Sequence, residues 1–254
     1  MDGELIRVSG LDEAMSLKDN GTAFFAGGTG ICYKDSRIYA KKYIVIPDEE
    51  QLHAVTVMDG LIQIGALVTF TQALEEEAVP EYLKEALLFC GSLQKRNRAT
   101  IGGNVASWRS DSYLIPTLIA SGAKLTLLGK EGSVLAEIAH YAAEREKYSD
   151  ALITGIFVKP DSAVQILSKR YANTVESHAY LTIAMGKEGD TYRIGLAIKN
   201  SGIFLPDITN WGISWKKAGV QDDMFGSEEY KRYLTETTLD TMYEKLGGEG
   251  GNES

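Results

Sequence analysis

Cysteine is scarce in this chain: only Cys32 and Cys90 occur among 254 residues, far apart in sequence. Iron–sulfur clusters are held by four thiolates, so this chain holds none by itself. One disulfide is open on the count, but nothing supports it, and a reducing cytoplasm is the simpler reading. The three histidines are scattered and show no zinc-type spacing. Basic residues are outnumbered, with 26 Lys and Arg against 35 Asp and Glu and a formal net charge of −9. That balance argues against a nucleic-acid partner, which requires a basic face. No apolar run approaches the roughly 20 residues needed to span a bilayer. The acidic N-terminus MDGELIRVSG lacks an apolar h-region, so no signal peptide is expected.

What remains is a globular composition, 44% hydrophobic and 24% charged, enough for one large core or two or three small ones. Glu4 to Val8 reads as a strand, followed by a helix capped by Ser9 and ended at Asn20-Gly21. Thr22 to Phe25 and Tyr43 to Ile46 read as further strands of a small α/β lobe. His53 to Met58, the turn Asp59-Gly60 and Leu61 to Gly65 predict a β-hairpin. Thr69 or Thr71 caps a short helix, and Pro80 opens a longer one through Tyr82, Leu83, Ala86 and Leu87. Strands are predicted over Ala123 to Leu128 and Ala151 to Val158. Beyond a boundary near Pro160, Val164 to Leu167, Tyr180 to Met185 and Tyr192 to Ile198 suggest an antiparallel sheet, with a helix over Ser227 to Leu246.

Two glycine-rich segments stand out. Ala26-Gly27-Gly28-Thr29-Gly30 leaves an apolar strand, and Thr100-Ile101-Gly102-Gly103-Asn104 precedes the apolar run Leu114 to Ile119. A glycine pair permits φ > 0 and close approach to its N–H donors, and successive N–H groups in such a turn make a concavity suited to phosphate. An ordinary Gly-Gly turn is the plain alternative. A Rossmann fingerprint fits poorly, because Tyr33 falls where its third glycine belongs and the chain turns to hairpins. Two such segments suit a pyrophosphate gripped from both sides. Cys32 reads as a small packed residue, and one of Arg96 and Arg98 as a surface residue. Asp111 reads equally as a ligand or as the cap of the Leu114 helix.

Ala26-Gly27-Gly28-Thr29, the pair Gly65-Ala66, and the run from Gln94 through Arg96-Asn97 and Ala99 to Asn104 resemble the FAD-binding (medium) subunit of the molybdenum hydroxylases. This is the group of xanthine dehydrogenase and carbon monoxide dehydrogenase medium subunits. The likeness covers about Leu5 to Pro160 and extends more weakly to about Ile198. It implies an α+β chain with two α/β FAD-binding subdomains of the PCMH-type flavin fold, about 1–52 and 53–160. A small C-terminal antiparallel sheet plus helix domain, 161–246, and a disordered tail, 247–254, would follow.

The resemblance implies FAD as cofactor, with Ala26, Gly27, Gly28, Thr29, Gly30 and Ile31 on one side of the pyrophosphate. Thr100, Ile101, Gly102, Gly103 and Asn104 would lie on the other. Lys169 would approach the flavin ring, where a cation stabilises negative charge on reduction. Three departures from the family concern ring-side contacts. Gly30 replaces an acid; either Asp111 shifts into an acidic position or Tyr113 replaces it; and Asn173 and Ser177-His178-Ala179 replace an Arg and an Asp-Ile-Ala. No catalytic or metal-ligating residue is expected. Electrons would pass from an iron–sulfur subunit through FAD to NAD or another acceptor, with [2Fe-2S] clusters and the molybdenum cofactor on partner chains. The alternatives are a structural subunit that has lost flavin and a stand-alone flavin oxidoreductase. The shortage of proton donors speaks against the latter.

Overall fold

The computed structural model describes residues 3–32, 40–174, 177–207 and 219–248. Tyr33 and the last six residues of the expected tail lie outside them. In chain order the elements begin with β1 (Glu4–Arg7), α1 (Leu11–Ser16), β2 (Thr22–Phe25), β3 (Lys42–Val45) and α2 (Glu50–His53). Next come β4 (Val55–Met58), β5 (Leu61–Gly65), α3 (Phe70–Glu75), α4 (Glu81–Leu88), α5 (Leu93–Arg96) and α6 (Ile101–Ser107). Then follow α7 (Leu114–Ala120), β6 (Lys124–Gly129), β7 (Gly132–Glu137), α8 (Ile138–Ala143) and β8 (Leu152–Val158). The last are β9 (Gln165–Tyr171), β10 (Leu181–Glu188), β11 (Thr191–Ile198), β12 (Gly202–Phe204) and α9 (Glu228–Lys245).

Two compact units result. The first contains Met1–Val79, Ser92–Ser107 and Ala123–Val158, and the second contains Pro80–Gly91, Trp108–Gly122 and Lys159–Ser254.

The first unit holds a parallel sheet in the order β1-β3-β2 and an antiparallel sheet in the order β4-β5-β8-β6-β7. Central β3 buries Tyr43 and Ile44, as its apolar run requires. Ser9 does not cap α1. Gly10 takes that place, and the Ser9 N–H and hydroxyl both donate to Glu13 Oε2 at 2.7 Å. The hairpin begins at Val55, not His53, because Leu52 is buried in a short helix whose carbonyl accepts from Leu67 N–H at 2.8 Å. Its turn residues have positive φ, 53° at Asp59 and 74° at Gly60, as an Asp-Gly turn demands. Thr69 caps α3 in a reciprocal capping box with Gln72.

The second unit is built on the sheet β12-β11-β10-β9. Along β10, Leu181, Ile183 and Met185 join Ile194, Leu196 and Ile198 of β11 and Leu239 and Met242 of α9 in one core. The alternate residues are small: Ala184 and Gly186 on β10, Gly195 and Ala197 on β11. A Cβ on Gly186 would overlap the Ala120 carbonyl, and one on Gly195 would meet Pro116, so α7 lies on this small-residue face. The period-2 alternation of large and small side chains thus gives the sheet one face for each helix. Ser227 caps α9 by accepting from Tyr230 N–H at 3.1 Å.

Candidate functional site

The parallel strand β2 delivers the chain into Ala26–Ile31 at its C-terminal end. Gly28 has φ +71°, a conformation that a side chain disfavours, and its carbonyl accepts from Cys32 N–H at 2.8 Å to close the turn. The N–H groups of Gly27, Gly28, Thr29, Gly30 and Ile31 meet no acceptor among the described residues. Five successive donors that meet no acceptor among the described residues are available to hydrogen-bond an anion. Gly27 has no room for a side chain, because a Cβ there would overlap the Arg98 carbonyl. Gly30 lies open, with nothing within 4 Å of a Cβ. Cys32 is exposed, contrary to the expectation of a packed residue, because it leaves the turn on the solvent side.

The second glycine segment differs from the expected turn. Neither Gly102 nor Gly103 has positive φ; both lie in the first turn of α6. Their N–H groups, with those of Ile101 and Asn104, are used internally. Ile101 N–H donates to Val68 O at 3.0 Å, Gly102 to Ala66 O at 2.9 Å, Gly103 to Thr100 Oγ1 at 3.2 Å and Asn104 to Thr100 O at 3.0 Å. The reason is packing: a Cβ on Gly102 would overlap Ala66, so the glycine lets the helix start lie on the Gly65-Ala66 segment. A Cβ on Gly103 would stand 2.7 Å from Thr100 Oγ1, too close for that hydroxyl to stay, and 3.8 Å from Ala26 Cβ of the first segment. The fold therefore brings Ala26–Ile31 and Thr100–Asn104 together. Arg98, at the approach to α6, is exposed, and Arg96 is half-buried.

Asp111, Tyr113 and Lys169 belong to the second unit. Asp111 is 8% exposed and accepts from Arg109 Nε at 2.9 Å and Nη2 at 2.8 Å, with His178 Nδ1 at 3.3 Å. Burial pushes its carboxyl up, but the Arg109 hydrogen bonds and charge, helped by His178 and Lys199, outweigh this and hold it below the ordinary value. Asp111 does not cap α7; Ser112 Oγ accepts from Ile115 N–H at 3.2 Å instead. Tyr113 is buried, edge-on to Phe89 with ring centroids 6.3 Å apart and beneath the Arg170 guanidinium at 5.4 Å. Burial pushes its phenol up to about 12. Lys169 is exposed on β9, with Nζ 5.9 Å from the Tyr171 ring centroid. Sequence reasoning missed the Arg109–Asp111–His178 cluster and stacked Arg170. Arg109 two residues before Asp111 was the one local signal.

Within the first unit, then, the arrangement offers backbone donors from one segment and a close-approach surface from its neighbour. This is chemistry for holding phosphate groups. Among the described residues no group of three His, Cys, Asp or Glu is placed to hold a metal ion, and no helix is long and apolar enough to cross a membrane.

Comparison with known proteins bears on the same segments. Residues 1–160 match the family described as the FAD binding domain in molybdopterin dehydrogenase. The YgfM protein of Escherichia coli (strain K12) is 27% identical over 253 residues, covering 94% of this chain and 95% of that one. The nicotinate dehydrogenase FAD-subunit of Eubacterium barkeri is 33% identical over 115 residues, 42% of this chain and 39% of that one. In fold, a chain of carbon monoxide dehydrogenase from Hydrogenophaga pseudoflava is similar, with a TM-score of 0.78 at 18% identity, covering 94% of this chain and 95% of that chain. The family match takes in both glycine segments and more than half of the sequence: this chain belongs to the FAD-binding domain family of the molybdopterin dehydrogenases.

Proposed function

We propose that this chain is the FAD-binding electron-transfer subunit of a molybdenum hydroxylase-type complex. The observation that carries the reading is the row of donors from Gly27 to Ile31, set beside Gly103 in the first unit. The residues fit the cofactor: the donors meet no acceptor among the described residues, Gly28 supplies the left-handed conformation of the turn, and Gly103 carries no side chain toward Ala26. When bound, FAD supplies the electron-accepting and electron-donating chemistry.

The two segments divide the work. Gly27 to Ile31 hydrogen-bond phosphate oxygens, each charge-assisted bond contributing roughly 1.5–3 kcal/mol. Thr100 steadies the start of α6, leaving Gly103 and the Asn104 side chain as the surface against which the phosphates lie. The assignment rests on the first unit alone. Asp111 and Tyr113, buried against their own neighbours, shape the second unit. Lys169 carries no role in this assignment.

Electrons reach the flavin from an iron–sulfur partner and leave to NAD or another acceptor. The molybdenum cofactor and the [2Fe-2S] clusters reside on separate chains, in keeping with the two cysteines here. The complex works in the cytoplasm. Purification from the native source tests this reading. Co-purification of an iron–sulfur chain and a molybdopterin chain, with acid-released cofactor running as FAD, is the expected result. A colourless chain that takes up no added FAD overturns it.

A further inference from the structure

The N–H donors of Gly27 to Ile31 carry partial charges only, and neither Ala26–Ile31 nor Thr100–Asn104 contains an ionisable side chain. A pyrophosphate brings full negative charge to a chain whose own formal net charge is −9. A cation beside the donors offsets that repulsion. Arg98 stands at both segments. Its carbonyl lies against Gly27, and Thr100 follows two residues later. Its backbone is pinned there. Arg98 N–H donates to Lys95 O at 3.1 Å, and buried Ala99 donates to the same carbonyl at 2.8 Å and accepts from Phe70 N–H at 2.9 Å. The Arg98 side chain, by contrast, is exposed and forms no ion pair, hydrogen bond or ring contact among the described residues. Its neighbours in the run differ: Arg96 is half-buried and already engaged, and Lys95 is half-buried within α5.

We infer, on the reading that the ligand is FAD, that Arg98 is the counter-charge for its phosphates. The guanidinium pairs with phosphate oxygens beside those that the N–H groups of Gly27 to Ile31 hold. Arginine suits the task, because its planar fork of donors matches a phosphate in two hydrogen bonds and stays charged at every working pH. Two consequences set this role apart from a solvated surface charge. Arg98 favours a flavin that carries phosphate over riboflavin, which has none. It also makes FAD binding sensitive to salt, since an ion pair at an accessible site is screened.

Titration of the apo chain with FAD and with riboflavin tests this, using wild type, Arg98→Gln, Arg98→Lys and Lys130→Gln. Each is run at about 0.01 M and about 1 M salt, between which the screening length falls from about 30 Å to about 3 Å. At low salt Arg98→Gln should bind FAD at least about tenfold more weakly, the factor one hydrogen bond to a charged group supplies. It should bind riboflavin like the wild type and lose most of the wild type's salt dependence. Arg98→Lys, which keeps the charge, should recover part of the loss. Lys130→Gln removes an exposed charge from the β6–β7 turn and should match the wild type, as should the thermal unfolding of all the apo variants. If Arg98→Gln binds FAD like the wild type, or weakens riboflavin equally, or if Lys130→Gln loses as much, the inference falls and the FAD reading stands. A wild type that takes up no FAD overturns both.

Discussion

Gly27 lies directly against the backbone carbonyl of Arg98, at a distance that leaves no space for a Cβ. This contact joins the donor-rich segment after β2 to the approach of α6. Gly27→Ala must push one segment from the other. We expect about a hundredfold loss of FAD affinity and an overpacking cost of about 1–3 kcal/mol. Gly129→Ala, outside the segment and with nothing nearer than 3.7 Å to an added Cβ, should leave both unchanged. FAD titration and thermal unfolding of the two variants make the comparison.

Gly103→Val tests the second segment. Its φ is not positive, but an added Cβ would stand 2.7 Å from Thr100 Oγ1, the acceptor of the Gly103 N–H. The variant therefore displaces that hydroxyl while its methyl groups occupy the surface facing Ala26. Thermal unfolding measures the stability cost alongside the affinity. Affinity for FAD should fall about a hundredfold, equivalent to about 2.7 kcal/mol. Gly189→Val, at φ +57° in the turn between β10 and β11, should cost about 1 kcal/mol of stability and leave affinity alone. Wild-type affinity in Gly103→Val would show that α6 does not face the cofactor.

How much of this was legible in sequence varies with the range of the contacts involved. The run Thr22 to Phe25 into Ala26-Gly27-Gly28 announced a strand and a glycine turn, because both signals are local. The helical start of α6 was not legible. Glycines argue against a helix, and the contact that favours one, Gly102 on Ala66, joins residues remote in sequence. Three of the four C-terminal strands could be read from their apolar runs, while β12, only Gly202–Phe204, was too short to show. That Gly186 and Gly195 form the bed of α7 depends on which strands pair. Asp111 looked like a cap or a ligand because its distant partner, His178, is brought to it only by the fold of the second unit.

Asp111 predicts an acid-sensitive contribution to stability. Its folded pKa lies below the ordinary value of about 3.9, so its contribution is present above that value and is lost as pH falls through the lowered one. Asp111→Asn should lower stability at pH 7 by about 1.5–3 kcal/mol, the worth of hydrogen bonds to a charged group. It should also flatten the fall in melting temperature below about pH 4. Thermal unfolding across pH 2 to 7, within ~0.5 pH steps, measures both effects.

Lys231 on α9 is 1% exposed and is held by Asp223 at 2.8 Å and the Gln221 carbonyl at 2.9 Å. Asp223→Ala strands a buried ammonium and should cost about 3–5 kcal/mol. Lys231→Met keeps the apolar stem and removes the buried charge, so its cost should be smaller. Urea unfolding of both variants ranks them, and the reverse order would contradict this reading of the pair.

The central claim is that the first unit grips this cofactor through its phosphates. Parallel titration of the apo chain with FAD and with riboflavin, which shares the ring but has no phosphate, tests it most directly. We predict one FAD bound per chain and riboflavin at least about a hundredfold weaker, since two phosphate hydrogen bonds of roughly 1.5–3 kcal/mol exceed two decades of affinity. Equal affinity for the two, or no uptake of FAD, would contradict it.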